Sequence, residues 1–324
     1  MEGGRGSSKN KRSGTTKGAK VSLKDIASTT LKAVEDGSFE IGDTSYSLKE
    51  SIGHAIENMV LFRADSELSH WSSNDTTTGD VGSTLSATTL HITVSECSTL
   101  VGARRLKELL TSSNIEDQRV GVLNFASAKN PGGGFMRGAQ AQEESIARSS
   151  TIYPALMGKV GQPFFQSHRK DPKEGYYSHA MLYIPRVLFF RSDKGDWLPP
   201  IEVDIVSSAA VNAGVVRRYL RERNSADEGQ LEEAMKERMA RILYLFEKRG
   251  VRNLVLGSFG TGVFRNKVEV VADIWKELLV GPDARFGRSF DRVIFAVLGH
   301  ATFEIFGDTF SNNASREKVA KEKL

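Results

Sequence analysis

The chain has one cysteine, Cys97, in 324 residues. An internal disulfide framework and a multi-cysteine zinc site are therefore excluded. No run of about 18 apolar residues occurs, which excludes a membrane-spanning helix. Eight prolines are scattered and form no linker. There is no internal repeat, so one elaborated domain is expected. The six histidines (His54, His70, His91, His168, His179 and His300) show neither HExxH nor Cys-pair spacing. No metal site and no cofactor is expected from them. His179, before a strand, and His300, at the end of one, read as structural, with a place in a cleft as the alternative.

Net positive charge is confined to the N-terminus. Residues 1–24 hold seven basic residues and one acid, a net +6, whereas the whole chain carries +4, leaving −2 on residues 25–324. The body therefore offers no broad positive groove for a phosphate polymer. Residues 1–22 read as a disordered basic tail: a solvated terminus, or else a nuclear import signal around Lys9–Arg12, a weak nucleic-acid contact or an organellar presequence without a clear amphipathic stripe. The tail lacks the apolar stretch of a secretory signal, so a cytoplasmic or nuclear location is expected, not secretion.

What is present is an alternation of strands and helices. From Leu23 to Arg63 the apolar spacing is helical, with Ile52, Ile56, Met59, Val60 and Phe62 lining a second helix. Residues 72–88 form a polar loop. Strand patterns follow at Leu90–Val94, Val120–Phe125, Met181–Phe190, Val203–Ser207, Leu254–Leu256 and Val293–Leu298. Helical patterns lie between them at Leu100–Leu110, Gln140–Met157, Ala213–Glu222, Gln230–Glu247 and Val268–Leu279. The class is α/β. We divide the chain into the tail (1–22), accessory helices and loop (23–88), a core (89–310) and a C-terminal tail (311–324), read as a frayed helix or disorder.

The densest signal is Val120–Ser150. A buried strand runs into Asn130-Pro131-Gly132-Gly133-Gly134, and Gln142-Glu143-Glu144 follows at the start of a helix. Three glycines are costly to order and make sense where backbone N–H groups approach a ligand. Adjacent helical residues are rotated by about 100°, so Glu143 and Glu144 cannot flank one bond like an ordinary glycosidase pair. One would move the proton and the other bind or orient. Taken alone, two acids in a first helical turn also suit the helix dipole. A second cluster, Gly257-Ser258-Phe259-Gly260-Thr261-Gly262-Val263-Phe264, lies between a strand and a helix. It suits a diphosphate held by backbone donors, or else a tight surface turn.

Together these segments resemble the microbial-type poly(ADP-ribose) glycohydrolases. The phrases LNFASAKNPGGG, AQEESIARSS and LGSFGTGVFRN carry the likeness, with Ser207–Gly214 as a further echo, over roughly residues 23–300. Ala209 stands where that family tends to have proline, and Thr261 where a cysteine or small residue is common. The resemblance implies a macrodomain-like three-layer α/β/α core with a mixed sheet and an N-terminal helical accessory region. It implies Glu144 as the acid/base and Glu143 on the ribose hydroxyls. Asn130 and the backbone of Gly132, Gly133 and Gly134 would bind the distal ribose, with Gln142 beside them. Gly260, Thr261, Gly262 and Val263 would cradle the diphosphate, and Phe264 would press on the ribose.

The implied substrate is poly(ADP-ribose) or an ADP-ribosylated protein, the product ADP-ribose, and the protein a monomer without cofactor or membrane. An apolar pocket and Glu143 are expected to raise the proton affinity of Glu144. A reader of ADP-ribose that does not cleave it, and a mono-ADP-ribosyl hydrolase, are the alternatives. The paired glutamates weigh against a reader.

Overall fold

A computed structural model describes residues 21–73, 89–115 and 118–317. The basic tail up to residue 20 and most of the polar loop read at 72–88 lie outside the described residues. Helix α1 (Leu23–Asp36) starts in a capping box, in which the Ser22 hydroxyl accepts from the Asp25 N–H and the Asp25 carboxylate accepts from the Ser22 N–H. Such reciprocal bonds satisfy orphan donors of a first turn. Strands β1 (Ser38–Ile41) and β2 (Thr44–Ser47) form an antiparallel hairpin before α2 (Lys49–Asn58) and β3 (Val60–Phe62).

The expected second helix ends early. Met59 turns extended, and Val60–Phe62 pairs antiparallel with β6 (Met181–Arg191). Ile56, placed on the apolar face by the sequence, is exposed. A run of bulky residues fits either period, and an open sheet edge decides between them.

The remaining elements are β4 (His91–Glu96), α3 (Thr99–Ser112), β5 (Val120–Phe125), α4 (Gln142–Ser149), α5 (Ile152–Met157) and α6 (Gln162–Lys170). After β6 come β7 (Trp197–Ser208), α7 (Ala213–Glu222), α8 (Gly229–Lys248), β8 (Asn253–Leu256), α9 (Val268–Leu279), β9 (Arg292–Val297), α10 (His300–Thr309) and β10 (Ala314–Glu317). The main sheet has the order β10-β4-β9-β8-β5-β7-β6-β3. It is parallel from β10 to β7, and antiparallel from β7 through β6 to β3. The segment read as a frayed C-terminal tail thus supplies an edge strand, and the accessory segment supplies the other edge.

Both faces of the sheet are covered, which explains why β5 has no polar residue from Val120 to Leu123. One apolar cluster unites Leu100, Leu106, Ile146, Phe164 and Val187 with that strand. The other holds Leu243, Phe246, Trp275, Phe295 and Phe306. A third, smaller core stacks Phe39 on Tyr46, Phe190 and Trp197, fastening the N-terminal hairpin to the β6–β7 ribbon. Among the described residues no helix is long and apolar enough to cross a membrane.

The helix expected over Gln140–Met157 is two helices. Ser150 is extended and bridges Phe189, Thr151 N–H donates to Leu188 O at 3.1 Å, and Leu188 N–H returns to Thr151 Oγ1 at 3.0 Å. Buried backbone groups must be paired. Here β6 supplies the partners, so the helix breaks where the chain crosses the sheet.

Candidate active site

The carboxyl ends of β5, β8 and β9 open into a cavity of about 530 Å³. Every sequence-predicted site residue lines it except Gly132. On one wall, the chain leaving β5 curls through the glycines and returns into α4, so Glu143 and Glu144 sit in the helix's first turn. They are neighbours in sequence, yet both carboxylates turn toward Gly133. A Cβ built there would lie 2.3 Å from Glu144 Oε1 and 3.1 Å from Glu143 Oε2. Gly133 has φ of 59°, so glycine suits both the turn and the close approach.

The two acids are held differently. Glu144 is half-buried, and its Oε1 accepts from Gly134 N–H at 2.9 Å. Glu143 is 3% exposed. Its Oε2 accepts from Ser127 N–H at 2.7 Å and its Oε1 from the Asn124 amide at 3.4 Å. Burial above all pushes Glu143 up to about 8; Glu144 adds to the rise, while Ser127, Asn124 and Gly132 oppose it. The carboxyl that burial lifts is therefore that of Glu143. Gly132 does not line the cavity, and its backbone favours the charged form of Glu143.

Gln142 lines the cavity, but its amide is committed to the protein. Its oxygen accepts from Phe125 N–H at 2.8 Å, and its nitrogen donates to Leu123 O at 2.8 Å and Thr99 Oγ1 at 3.1 Å. The residue expected on substrate is thus a staple between β5, α3 and α4. Asn130 is exposed at the rim of the cavity.

The opposite wall is the loop from β8 to α9. The Trp275 indole donates to Gly257 O at 3.0 Å. The Asn266 amide donates to Gly260 O at 2.9 Å and Val211 O at 2.8 Å, closing the loop on itself. Gly260, at φ of 74°, rests so close to Ala210 that a Cβ there would meet Ala210 Cβ at 2.4 Å. Thr261 N–H is turned inward to Ser258 O. Among the described residues the N–H groups of Gly262, Val263 and Phe264 have no acceptor within the protein. They are free donors in the loop before α9, a backbone arrangement suited to an anionic group. Val263, 79% exposed, contributes backbone rather than packing.

Residues 27–192 match the family described as microbial-type PARG, catalytic domain. The chain belongs to the microbial-type poly(ADP-ribose) glycohydrolase family. A crystal structure of the poly(ADP-ribose) glycohydrolase from Thermomonospora curvata superposes with a TM-score of 0.76 at 31% identity, covering 89% of this chain and 99% of that one. The same protein bound to the inhibitor ADP-HPD gives a TM-score of 0.74 at 31% identity over the same shares of both chains. The Deinococcus radiodurans glycohydrolase in complex with ADP-ribose gives 0.67 at 31% identity, covering 81% of this chain and 97% of that one. No curated protein matches the chain significantly. The fold is thus the macrodomain-like α/β architecture of this glycohydrolase family, with its N-terminal helices.

Several residues of this glycohydrolase site were not legible as functional. Asn124 and Ser127 hold Glu143 but look like ordinary strand-end residues. Trp275 reads as core, and it is, yet it also fixes the start of the loop between β8 and α9. Asp193, at the β6–β7 tip, reaches the cavity and accepts from Ser98 Oγ at 2.6 Å; no local motif marks it.

The raised pKa of Glu143 carries a stability consequence. An unfolded glutamate loses its proton near 4.5, while the folded one keeps it to about 8. The native state therefore binds more protons between these values, and stability falls as pH rises through that window. The full effect is bounded at roughly 5 kcal/mol, from about 1.4 kcal/mol per unit. Glu143→Gln removes it, and the amide oxygen can still accept from Ser127. The variant is expected to melt several degrees above wild type at pH 8, with the gap closing toward pH 5. Parallel melting curves across pH would contradict this.

Proposed function

We propose that the protein hydrolyses ribose–ribose bonds of poly(ADP-ribose) and releases ADP-ribose. The observation that carries this reading is the single cavity that brings paired glutamates together with a loop of free backbone donors. The loop from Gly260 to Phe264 holds the diphosphate, and Phe264 lies on the sugar. This fixes the terminal ribose over Glu144, so positioning supplies much of the rate. Glu144 protonates the departing ribose oxygen as the sugar passes through an oxocarbenium-like state, then takes a proton from the attacking water. Glu143, held by Ser127 and Asn124, orients the ribose hydroxyls. Gln142 serves by fixing the start of α4. Radiolabelled polymer incubated with the protein tests the activity: release of ADP-ribose supports it, and intact polymer rejects it.

Cleavage proceeds from chain ends. Helix α1 packs against α4 and the turn after Gly134: Thr30 Oγ1 donates to Arg148 O at 2.6 Å, and Gly138 faces Lys24 and Leu23. This accessory helix backs the ribose wall and favours a pocket closed beyond the terminal sugar. An internal unit then clashes where an end fits. In a short time course on long polymer, monomeric ADP-ribose is expected before any mid-length oligomer. Early mid-length products would show cleavage within the chain.

A further inference from the structure

Phe264 is half-buried and lines the cavity, and such a ring has several rotamers open to it. One neighbour limits them. The Tyr177 ring lies 5.9 Å away, tilted by 41°. Tyr177 is buried and is held in turn by His168, edge-on at 5.5 Å, which meets Phe164 edge-on at 4.6 Å. Burial, then nearby Arg238, pushes His168 down to about 4, so the ring against Tyr177 is uncharged at neutral pH. The aromatic row therefore runs from the α6 core to the ring that faces the sugar.

The backbone that presents Tyr177 is unusual. Lys173, Glu174, Gly175 and Tyr177 have φ of 45°, 52°, 100° and 56°. Three of these are not glycine, and such a cluster persists only where its surroundings hold it. Three bonds do so here. Asn212 N–H donates to Gly175 O at 2.8 Å, at the entrance of α7. Arg238, 1% exposed, donates to Tyr176 O at 2.8 Å and, from its other terminal nitrogen, to Ala209 O at 2.8 Å. His168 Nε2 and Ser178 Oγ are 2.7 Å apart. Arg238 thus ties the turn carrying Tyr177 to the segment carrying Ala210, which packs under Gly260. Two contacts of the loop, Tyr177 on Phe264 and Ala210 under Gly260, thus hang from one buried guanidinium.

We infer that Tyr177 is a positioning residue: its ring fixes Phe264 in the orientation that meets the ribose, and the positive φ of Lys173, Glu174, Gly175 and Tyr177 is held to bring it there. This rests on the reading of Phe264 as the sugar-facing ring. The ring matters and the hydroxyl does not, since the hydroxyl makes no protein hydrogen bond among the described residues.

The test measures ADP-ribose affinity by calorimetry, and kcat and KM on short poly(ADP-ribose), for Phe264→Ala, Tyr177→Phe, Tyr177→Leu, Tyr177→Ala and the double variant Phe264→Ala/Tyr177→Leu. Tyr177→Phe is expected within about twofold of wild type. Tyr177→Leu keeps apolar volume and folding but loses the flat ring. Together with Tyr177→Ala it is expected to weaken ADP-ribose by about three- to tenfold, the range for freeing one side chain. The double variant is expected to bind no more weakly than Phe264→Ala alone, because the two rings act as one unit. Wild-type affinity and KM in both Tyr177→Leu and Tyr177→Ala, beside a weakened Phe264→Ala, would overturn the positioning role, as would a double variant whose loss is the product of the single losses. Wild-type binding and turnover in Phe264→Ala would reject the sugar-facing reading itself. Absence of polymer hydrolysis by wild type would reject the activity, and the affinities would still decide the role of Tyr177.

Discussion

Glu144→Gln is expected to lower turnover of poly(ADP-ribose) by at least ~100-fold, the low end for removing a general acid/base, while ADP-ribose still binds. The amide matches the carboxylate in size, and its oxygen can keep the bond from Gly134 N–H that Glu144 Oε1 accepts at 2.9 Å. It cannot give a proton to the leaving ribose and take one from water. Glu143 cannot take over, because Ser127 and Asn124 hold it and its carboxyl is buried. The comparison needs kcat on defined polymer together with an ADP-ribose titration on the same preparation. Hydrolysis near the wild-type rate in Glu144→Gln would remove Glu144 from the chemistry. Loss of binding along with turnover would point to a collapsed site instead.

The elements that the sequence displayed best are those whose surroundings repeat along the chain. β5 is apolar from Val120 to Leu123 because helices cover both its faces, and its limits coincide with those read at Val120–Phe125. Helices α7 and α9 likewise match their apolar spacing. What stayed hidden depends on partners far away in sequence. β3 and β10 are short edge strands whose pairing is visible only beside β6 and β4. The break between α4 and α5 exists because Ser150 and Thr151 meet β6.

The site divides in the same way. Glu143, Glu144 and the glycine loops are contiguous motifs, so their meeting in one cavity was readable. The rise in the proton affinity of Glu143 was not, because it comes from burial in the folded chain, against the opposing bonds from Ser127 and Asn124. Gln142 belongs to the motif yet bonds to β5 and α3, a role that no spacing displays.

Gly133→Ala is expected to cost about 100-fold in kcat, the loss that follows when a reacting group is misplaced by about 1 Å. The added methyl would lie 2.3 Å from Glu144 Oε1 and 2.8 Å from Glu144 Cδ. Contacts that short do not occur, so the carboxylate or the loop must move, and the bond from Gly134 N–H moves with it. Part of any effect arises from the backbone, since φ of 59° disfavours alanine by about 1 kcal/mol or more. Gly42→Ala isolates that part. Gly42 sits at the β1–β2 turn with φ of 55°, and a Cβ there meets nothing within 4 Å. It should lower the melting temperature slightly and leave activity per folded molecule unchanged. If Gly133→Ala acts by displacing Glu144, combining it with Glu144→Gln adds little further loss, because both remove the same proton transfer. A Gly133→Ala enzyme with wild-type kcat would show that the carboxylate finds an equally good position elsewhere in the cavity, and the close approach at Gly133 would then have no part in catalysis.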